Sequence, residues 1–468
     1  MDTLTLGGNE AYTMDMSAIG LTSFETVMIE AVNNGFSSIE PAFVKLGVIQ
    51  LAGNGGAIGL IDSDNSSTTK GTITLELAMG TATTFNLSTS PVTITGLSGP
   101  RDVFRIAGDT DSEAITGSTR KETISSGGGT DILTGLGGND TYLIADFAAS
   151  VIEASDGGND TIDSTISQDL ANFANIENLT LTNASGTTTG FGNEETNILD
   201  GSRGGGVSNF AGLGGDDLYV LGVGDTASET LAGTAGGTDT VRTDRTFILG
   251  DNLENLTLTG NEFGVSGTGN GLDNILDGSL NFRVNTLAGL AGNDTYIVNT
   301  GDIVSETLAG AAGGIDTIKS IGAIVLTDNV ENLVLLGNLD VAGTGNGLAN
   351  VLDGSQNGGN NALRGQDGND TYLVGANDSV SEFAAGSEGG VDLVRTAFAR
   401  ILSADVENLT LMGTAAVAGR ETNWPMCWTG LTTAPSIFSK ASSATTLISW
   451  AVAILPMRPV AAPATGIW

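Results

Sequence analysis

The sequence predicts an all-β chain built as a solenoid of stacked turns. Three observations carry that expectation. Four short phrases recur along the chain in one order and at a near-constant step. A nine-residue period runs ahead of and into the first of them. The residues between are rich in Val, Ile, Leu, Thr and Gly, with 69 glycines and few aromatics. A fixed period of this kind is the mark of a stacked, repeat-built architecture.

The first phrase, Gly-Asn-Asp-Thr-Tyr or a close variant, places Tyr142, Tyr219, Tyr296 and Tyr372 at steps of 77, 77 and 76 residues. Glu-Asn-Leu begins at Glu177, Glu254, Glu331 and Glu407, with the same steps. Gly-Gly-x-Asp places Asp160, Asp239, Asp316 and Asp392. A fourth phrase, Asn-Ile/Val-Leu-Asp-Gly-Ser, begins at Asn197, Asn274 and Asn350. The finer period sets Glu113, Glu122, Asp131 and Asp140 nine residues apart, each followed two residues later by Ile115, Ile124, Leu133 or Tyr142. Gly108, Gly117 and Gly135 stand five residues before three of these acids.

Composition narrows the function. The formal charge is −37, from 54 Asp+Glu against 17 Lys+Arg. A compact body so charged repels nucleic acid and anionic membranes and attracts cations. A hydrophobic fraction of 40% is enough to bury a core. The chain has no histidine, which removes Ser-His-Asp and Cys-His catalysis and His-ligated zinc together. Cys427 is the only cysteine, so no internal disulfide forms. The first basic residue is Lys45, so the N-terminus lacks the charged region of a cleaved export signal. No apolar run approaches the ~20 residues that span a bilayer.

Ser126–Thr134 (SGGGTDILT) and Gly135–Leu143 (GLGGNDTYL) closely resemble the RTX, or hemolysin-type, nonapeptide Gly-Gly-x-Gly-x-Asp-x-U-x, where U is large and apolar. The longer order of phrases also resembles the tandem arrays of bacterial secreted RTX proteins, over about residues 108–419. The units around Ser208, Asn285 and Asn361 lack the acid and depart from the pattern. The resemblance implies a right-handed parallel β-roll or β-helix with calcium between its turns. It implies export through type I secretion machinery, and folding outside the cell, where calcium is abundant.

The residue types suit that chemistry. Ca2+ takes about 6–8 oxygen ligands at ~2.3–2.6 Å. Glycine turns can aim carbonyls inward, because glycine accepts positive φ at no steric cost. One turn cannot complete the shell, whereas stacked turns can. Asp131 and Asp140 are the leading candidate ligands, with Glu122 and Glu113 behind them. Asp217, Asp294 and Asp370 hold the matching position in later repeats. Gly138, Gly215, Gly292 and Gly368, two residues before the acid, mark turns where carbonyls would converge. Asp160, Asp239, Asp316 and Asp392 form a second series, which could ligate or simply cap turns. Asn178, Asn255, Asn332 and Asn408 read as structural. So do Arg242, Lys319 and Arg395, which recur at the repeat step.

Residues 1–107 carry no nonapeptide and read as β-strands with polar turns, either degenerate coils capping the solenoid or a separate binding domain. Residues 420–468 differ in texture. They hold all four tryptophans and no acid after Glu421. Back-translating Asn423–Thr429 and shifting one base yields codons that read or allow Leu-Ala-Asn-Val-Leu-Asp, the string at Leu348–Asp353. The tail is thus expected to be a frameshifted fifth repeat that neither joins the solenoid nor binds calcium. The expected function is calcium binding by a secreted or cell-surface, non-enzymatic protein. The alternative is a calcium-stabilised carrier region of a larger secreted enzyme or adhesin, with a cell-surface or matrix glycan as a possible partner.

Overall fold

In the computed structural model, residues 105–108, 110, 112–382, 389–403 and 405–412 are described in full, and elsewhere only the backbones of individual strands. Nearly every element is a β-strand, and the strands pair in parallel. The helical elements among the described residues are three single 3-10 turns: Leu170–Asn172, Gly233–Ala235 and Gly310–Ala312. None is long or apolar enough to cross a membrane. The chain is a β-solenoid, and its coils group into two units, residues 1–259 and 260–468. Each unit stacks parallel coils, and most coils give one strand to each of two sheets.

The four sequence phrases are four successive coils. In the first unit, Thr141–Ile144, Thr161–Ser164, Asn178–Leu181, Ile198–Asp200 and Leu218–Leu221 pair in turn to make the first sheet. The Tyr, Gly-Gly-x-Asp, Glu-Asn-Leu and Asn-Ile-Leu-Asp phrases each open one of these strands. The register runs Tyr142, Ile162, Leu179, Leu199, Tyr219, with coils of 20, 17, 20 and 20 residues. In the second unit it runs Tyr296, Ile318, Leu333, Leu352, Tyr372, with coils of 22, 15, 19 and 20. The 77-residue step is therefore a four-coil module. The 19-residue coil after Leu333 is why the last step is 76.

Strand alternation decides what is buried. Tyr219, Ile318, Leu333 and Leu352 are fully buried and stack over their equivalents in adjacent coils. A parallel coil repeats its inward position in every turn, so one apolar residue per coil builds a continuous column. Full burial of such a side chain stabilises by about 1.5–3 kcal/mol. The next residue points outward. Arg242 and Arg395 are exposed on the outer face of the first sheet, and Lys319 is partly so. The second sheet of the first unit includes Gln168–Asp169, Thr187–Phe191, Val207–Ala211 and Thr226–Ser228.

The turn glycines let coils approach. Gly138, Gly215, Gly292 and Gly368 adopt φ of +115°, +100°, +114° and +117°. A Cβ on Gly292 would strike the Leu272 carbonyl in the coil before it. Its own carbonyl lies against Gly314 in the coil after it.

Ahead of the array, Ile73–Ala78 pairs with Val103–Ala107, which pairs with Glu122–Ser125. Thr84–Asn86 pairs with Ala114–Thr116 on the other sheet. Near the other end, the strand backbones Ala418–Arg420 and Ile437–Ser439 pair in parallel. The expectation of a frameshifted tail falls otherwise outside the described residues.

Alternation predicts a sharp contrast at adjacent positions. Ile318→Ala should destabilise the second unit by about 2–5 kcal/mol through loss of packing and a residual cavity. Lys319→Ala should change stability by less than about 0.5 kcal/mol. Chemical denaturation of the two variants beside the parent chain measures both.

A candidate metal centre at the first corner of the coils

The residue just before each first-sheet strand lies at one corner of the coil with its side chain inward. In sequence order these residues are Asp140, Asp160, Glu177 and Asn197, then Asp217, Asp239 and Glu254. In the second unit they are Asn274, Asp294, Asp316 and Glu331, then Asn350, Asp370, Asp392 and Glu407. They are joined by one repeated hydrogen bond. Where the next residue is Asp or Glu, the backbone N–H of each donates to one of its carboxylate oxygens. Asn197 donates to Asp217 Oδ1 at 2.7 Å, Asp217 to Asp239 Oδ1 at 2.9 Å, and Asp239 to Glu254 Oε2 at 2.8 Å. Asn350, Asp370 and Asp392 repeat the pattern at 2.7, 2.8 and 2.8 Å.

The ladder uses one oxygen of each Asp. The other, Oδ2, is buried without a hydrogen-bond partner in Asp140, Asp160, Asp217, Asp239, Asp294, Asp316 and Asp370. A glutamate from the end of a second-sheet strand joins each Asp pair: Glu153, Glu229, Glu306 or Glu382. Its Oε1 accepts the hydroxyl of the buried tyrosine, in the pairs Tyr142–Glu153, Tyr219–Glu229, Tyr296–Glu306 and Tyr372–Glu382. Glu229, Glu306 and Glu382 keep Oε2 buried and unpartnered. The oxygens of Asp140, Glu153 and Asp160 lie within 4.8 Å of one another, as do those of Asp217, Glu229 and Asp239 and of Asp370, Glu382 and Asp392.

The turn above the triad completes it. Gly212 lacks the side chain that would fill the space: a Cβ there would collide with Asp217 Oδ2 and crowd the Tyr219 hydroxyl and Glu229 Oε1. Gly135, Gly289 and Gly365 are placed alike. The next residue is non-glycine at positive φ in every module: Leu136 at 79°, Leu213 at 79°, Leu290 at 82° and Gln366 at 81°. Such a conformation costs on the order of 1–3 kcal/mol unless its surroundings enforce it. The N–H of Leu213 is directed at the Glu229 carboxylate, and that of Gln366 at Glu382.

Burial and like charge raise the pKa values of these carboxyl groups. Asp140 and Asp217 are pushed up to about 8, first by burial and then by neighbouring carboxylates. Asp239, Asp294, Asp316 and Asp370 rise to about 7, and Asp160 and Asp392 to about 6, again chiefly through burial. Burial also raises Glu153 and Glu229, and takes Glu382 to about 7. The side-chain charges acting on Asp217 are those of Asp239, Glu229 and Asp216, all negative.

The nine-residue series does not converge on one place. A coil here spans two nonapeptides, so alternate acids fall on opposite corners. Glu122 and Asp140 lie on the first corner, bonded from Glu122 N to Asp140 Oδ1 at 2.6 Å. Glu113 and Asp131 lie buried on the other, bonded from Glu113 N to Asp131 Oδ1 at 2.9 Å. In later modules that second corner holds Asp225, Asp302 and Asp378. Both oxygens of each accept backbone N–H groups, as from Ser208 and Gly222 to Asp225 at 2.7 and 2.8 Å. These carboxylates are satisfied by the fold itself. The turn glycines Gly138, Gly215, Gly292 and Gly368 stack on glycines of the following coil. Asn178 and Asn408 donate to the carbonyls of Asp160 and Asp392 in the coil before them, at 3.0 and 3.1 Å.

Sequence reasoning missed Glu153, Glu229, Glu306 and Glu382. They recur at steps of 76, 77 and 76, which is the signal that could have found them. Only the fold shows that they cross from the second sheet to the Asp pair.

The arrangement offers a hard cation three convergent carboxylates in a buried pocket. No family model matches the chain, and no curated protein matches it.

The raised pKa values fix a pH dependence. These carboxylates hold protons more tightly folded than unfolded, so their protonation favours the fold. That contribution is complete below about pH 4 and is lost as pH rises through the folded values of about 6 to 8. In chelator, resistance to heat should therefore fall from about pH 4 upward and be lost towards pH 8. With saturating divalent cation the fall should shrink or reverse, because the cation replaces the proton. Calorimetry across that range checks the sign.

Proposed function

We propose that the chain is a calcium-binding repeat protein of the RTX type that acts outside the cell and folds as calcium binds. The observation that carries the reading is the set of buried carboxylate oxygens left without partners at one corner of the coils. An ionised carboxylate buried unpaired is strongly disfavoured, and seven aspartates share that situation here. A divalent cation bound by oxygen resolves it, and the all-oxygen donor set suits Ca2+. The net charge of −37 opposes compaction until counterions bind. Binding only to the folded chain makes binding energy folding energy.

On this reading export runs through a type I system, and the chain has no catalytic role. Arg242, Lys319 and Arg395, the basic residues that recur with the repeat, lie on the outer strand face away from the carboxylates. The carrier alternative adds a larger secreted enzyme or adhesin, or a surface glycan, as partner. A glycan pull-down with residues 1–107 and with the whole chain separates the two.

Far-ultraviolet circular dichroism under calcium titration tests the central reading. In chelator the spectrum should be largely that of a disordered chain, and millimolar calcium should give a β spectrum. Magnesium should substitute poorly, since it demands a tighter octahedral shell. A chain fully β in chelator, and no more heat-resistant with calcium, would sink it.

A further inference from the structure

We propose that the array holds one tightly bound calcium ion per four-coil module, four in all, each closed by the second-sheet glutamate Glu153, Glu229, Glu306 or Glu382. The inference rests on the calcium reading above and adds to it the number of ions and the residue that closes each site.

The argument begins with the corner column. Its residues cycle through Asp, Asp, Glu and Asn, one per coil. The Asp–Asp step brings two unpartnered Oδ2 atoms together in the first three modules, and that of Asp370 beside Asp392 in the fourth, and the second-sheet glutamate arrives at that step. At the next step, Asp239 N donates to Glu254 Oε2 and no further acid joins them among the described residues. The step after that meets an amide instead of a charge. The Asn197 Oδ1 accepts Asn193 N at 2.8 Å, and its Nδ2 donates to the Glu177 carbonyl at 3.0 Å. Asn350 does the same with Asn346 N and the Glu331 carbonyl. An amide so held brings no negative charge to a cation, so the Asn coil separates one carboxylate triad from the next.

Two further features coincide only at the triad coil. The glycine whose absent Cβ leaves room beside the oxygens is Gly135, Gly212, Gly289 or Gly365. The residue held at positive φ follows it directly. The third module has the same residues, the same unpartnered oxygens on Asp294, Glu306 and Asp316, and the same Tyr296–Glu306 bond. Within a unit, successive triads are four coils apart, or roughly 19 Å at ~4.8 Å per strand.

The opposite corner supplies the contrast. Asp225, Asp302 and Asp378 recur with the same period, yet their carboxylates are taken up by backbone N–H groups. Periodicity alone does not make a site; unpartnered oxygens facing one another do.

The test is the number of calcium ions retained per full-length chain, after refolding in calcium and passage over a chelating resin in potassium chloride. Four are expected. Any other non-zero number overturns the one-per-module assignment while leaving calcium binding intact, and retention of none overturns both. Glu229→Gln should lower the count to three by removing the closing charge. Gly212→Ala should do the same by filling the space, and its backbone is not at positive φ. Asp225→Asn should leave four. If Glu229→Gln and Gly212→Ala, folded by circular dichroism, both keep four ions, the proposed closure is wrong. The parent count decides the stoichiometry even if a variant does not fold.

Discussion

A carboxylate oxygen accepting the backbone N–H of the coil before it is the interaction on which the rest of this stack depends. Parallel pairing sets coils one strand spacing apart but leaves the corners, where the chain turns, without a sheet partner. The inward acid takes that role. Asp217 N to Asp239 Oδ1 and Asp239 N to Glu254 Oε2 are two links of one column that fixes each coil over the last. An acid accepts such a bond better than a neutral group, since charge-assisted hydrogen bonds are the stronger ones.

That solution creates its own difficulty. A carboxylate has two oxygens, and the ladder uses one. In the Asp–Asp coils the second oxygen is sealed inside with a like neighbour and a glutamate. At an effective dielectric constant of ~20, two unit charges ~4 Å apart repel by about 4 kcal/mol. Protons relieve this at low pH, and a bound cation would relieve it at neutral pH. Structure and ion demand therefore arise from the same residues. The module alternates these strained coils with relaxed ones through the chemistry of a single position per coil: Asp, Asp, Glu, then Asn.

The tyrosine shows how packing and site are joined. Tyr142, Tyr219, Tyr296 and Tyr372 occupy the apolar column as the large inward residue of their strand. Their hydroxyls reach past that column to the glutamate and settle one of its oxygens. Leucine fills the same place in coils that supply no triad carboxylate, such as those of Leu179, Leu199 and Leu256. The one polar aromatic in the column thus stands where a polar neighbour needs a partner.

Much of this was legible in the chain itself. The 77-residue step, the all-β solenoid and the inward acids at Asp140, Asp217, Asp294 and Asp370 follow from periodicity, because a stacked coil must repeat its residue types in register. The sequence also marked Asp160, Asp239, Asp316 and Asp392 without deciding between ligand and turn cap. Tertiary structure decided three things that periodicity cannot. It showed that one module is four coils of unequal length, so the four phrases share a corner despite irregular spacing. It sent alternate nonapeptide acids to opposite corners, because two nonapeptides complete one coil. And it carried Glu153, Glu229, Glu306 and Glu382 across from the second sheet. A glutamate 11 residues from Tyr142, and 10 from Tyr219, meets it only when the chain has turned through about half a coil, and no reading of local spacing contains that turn.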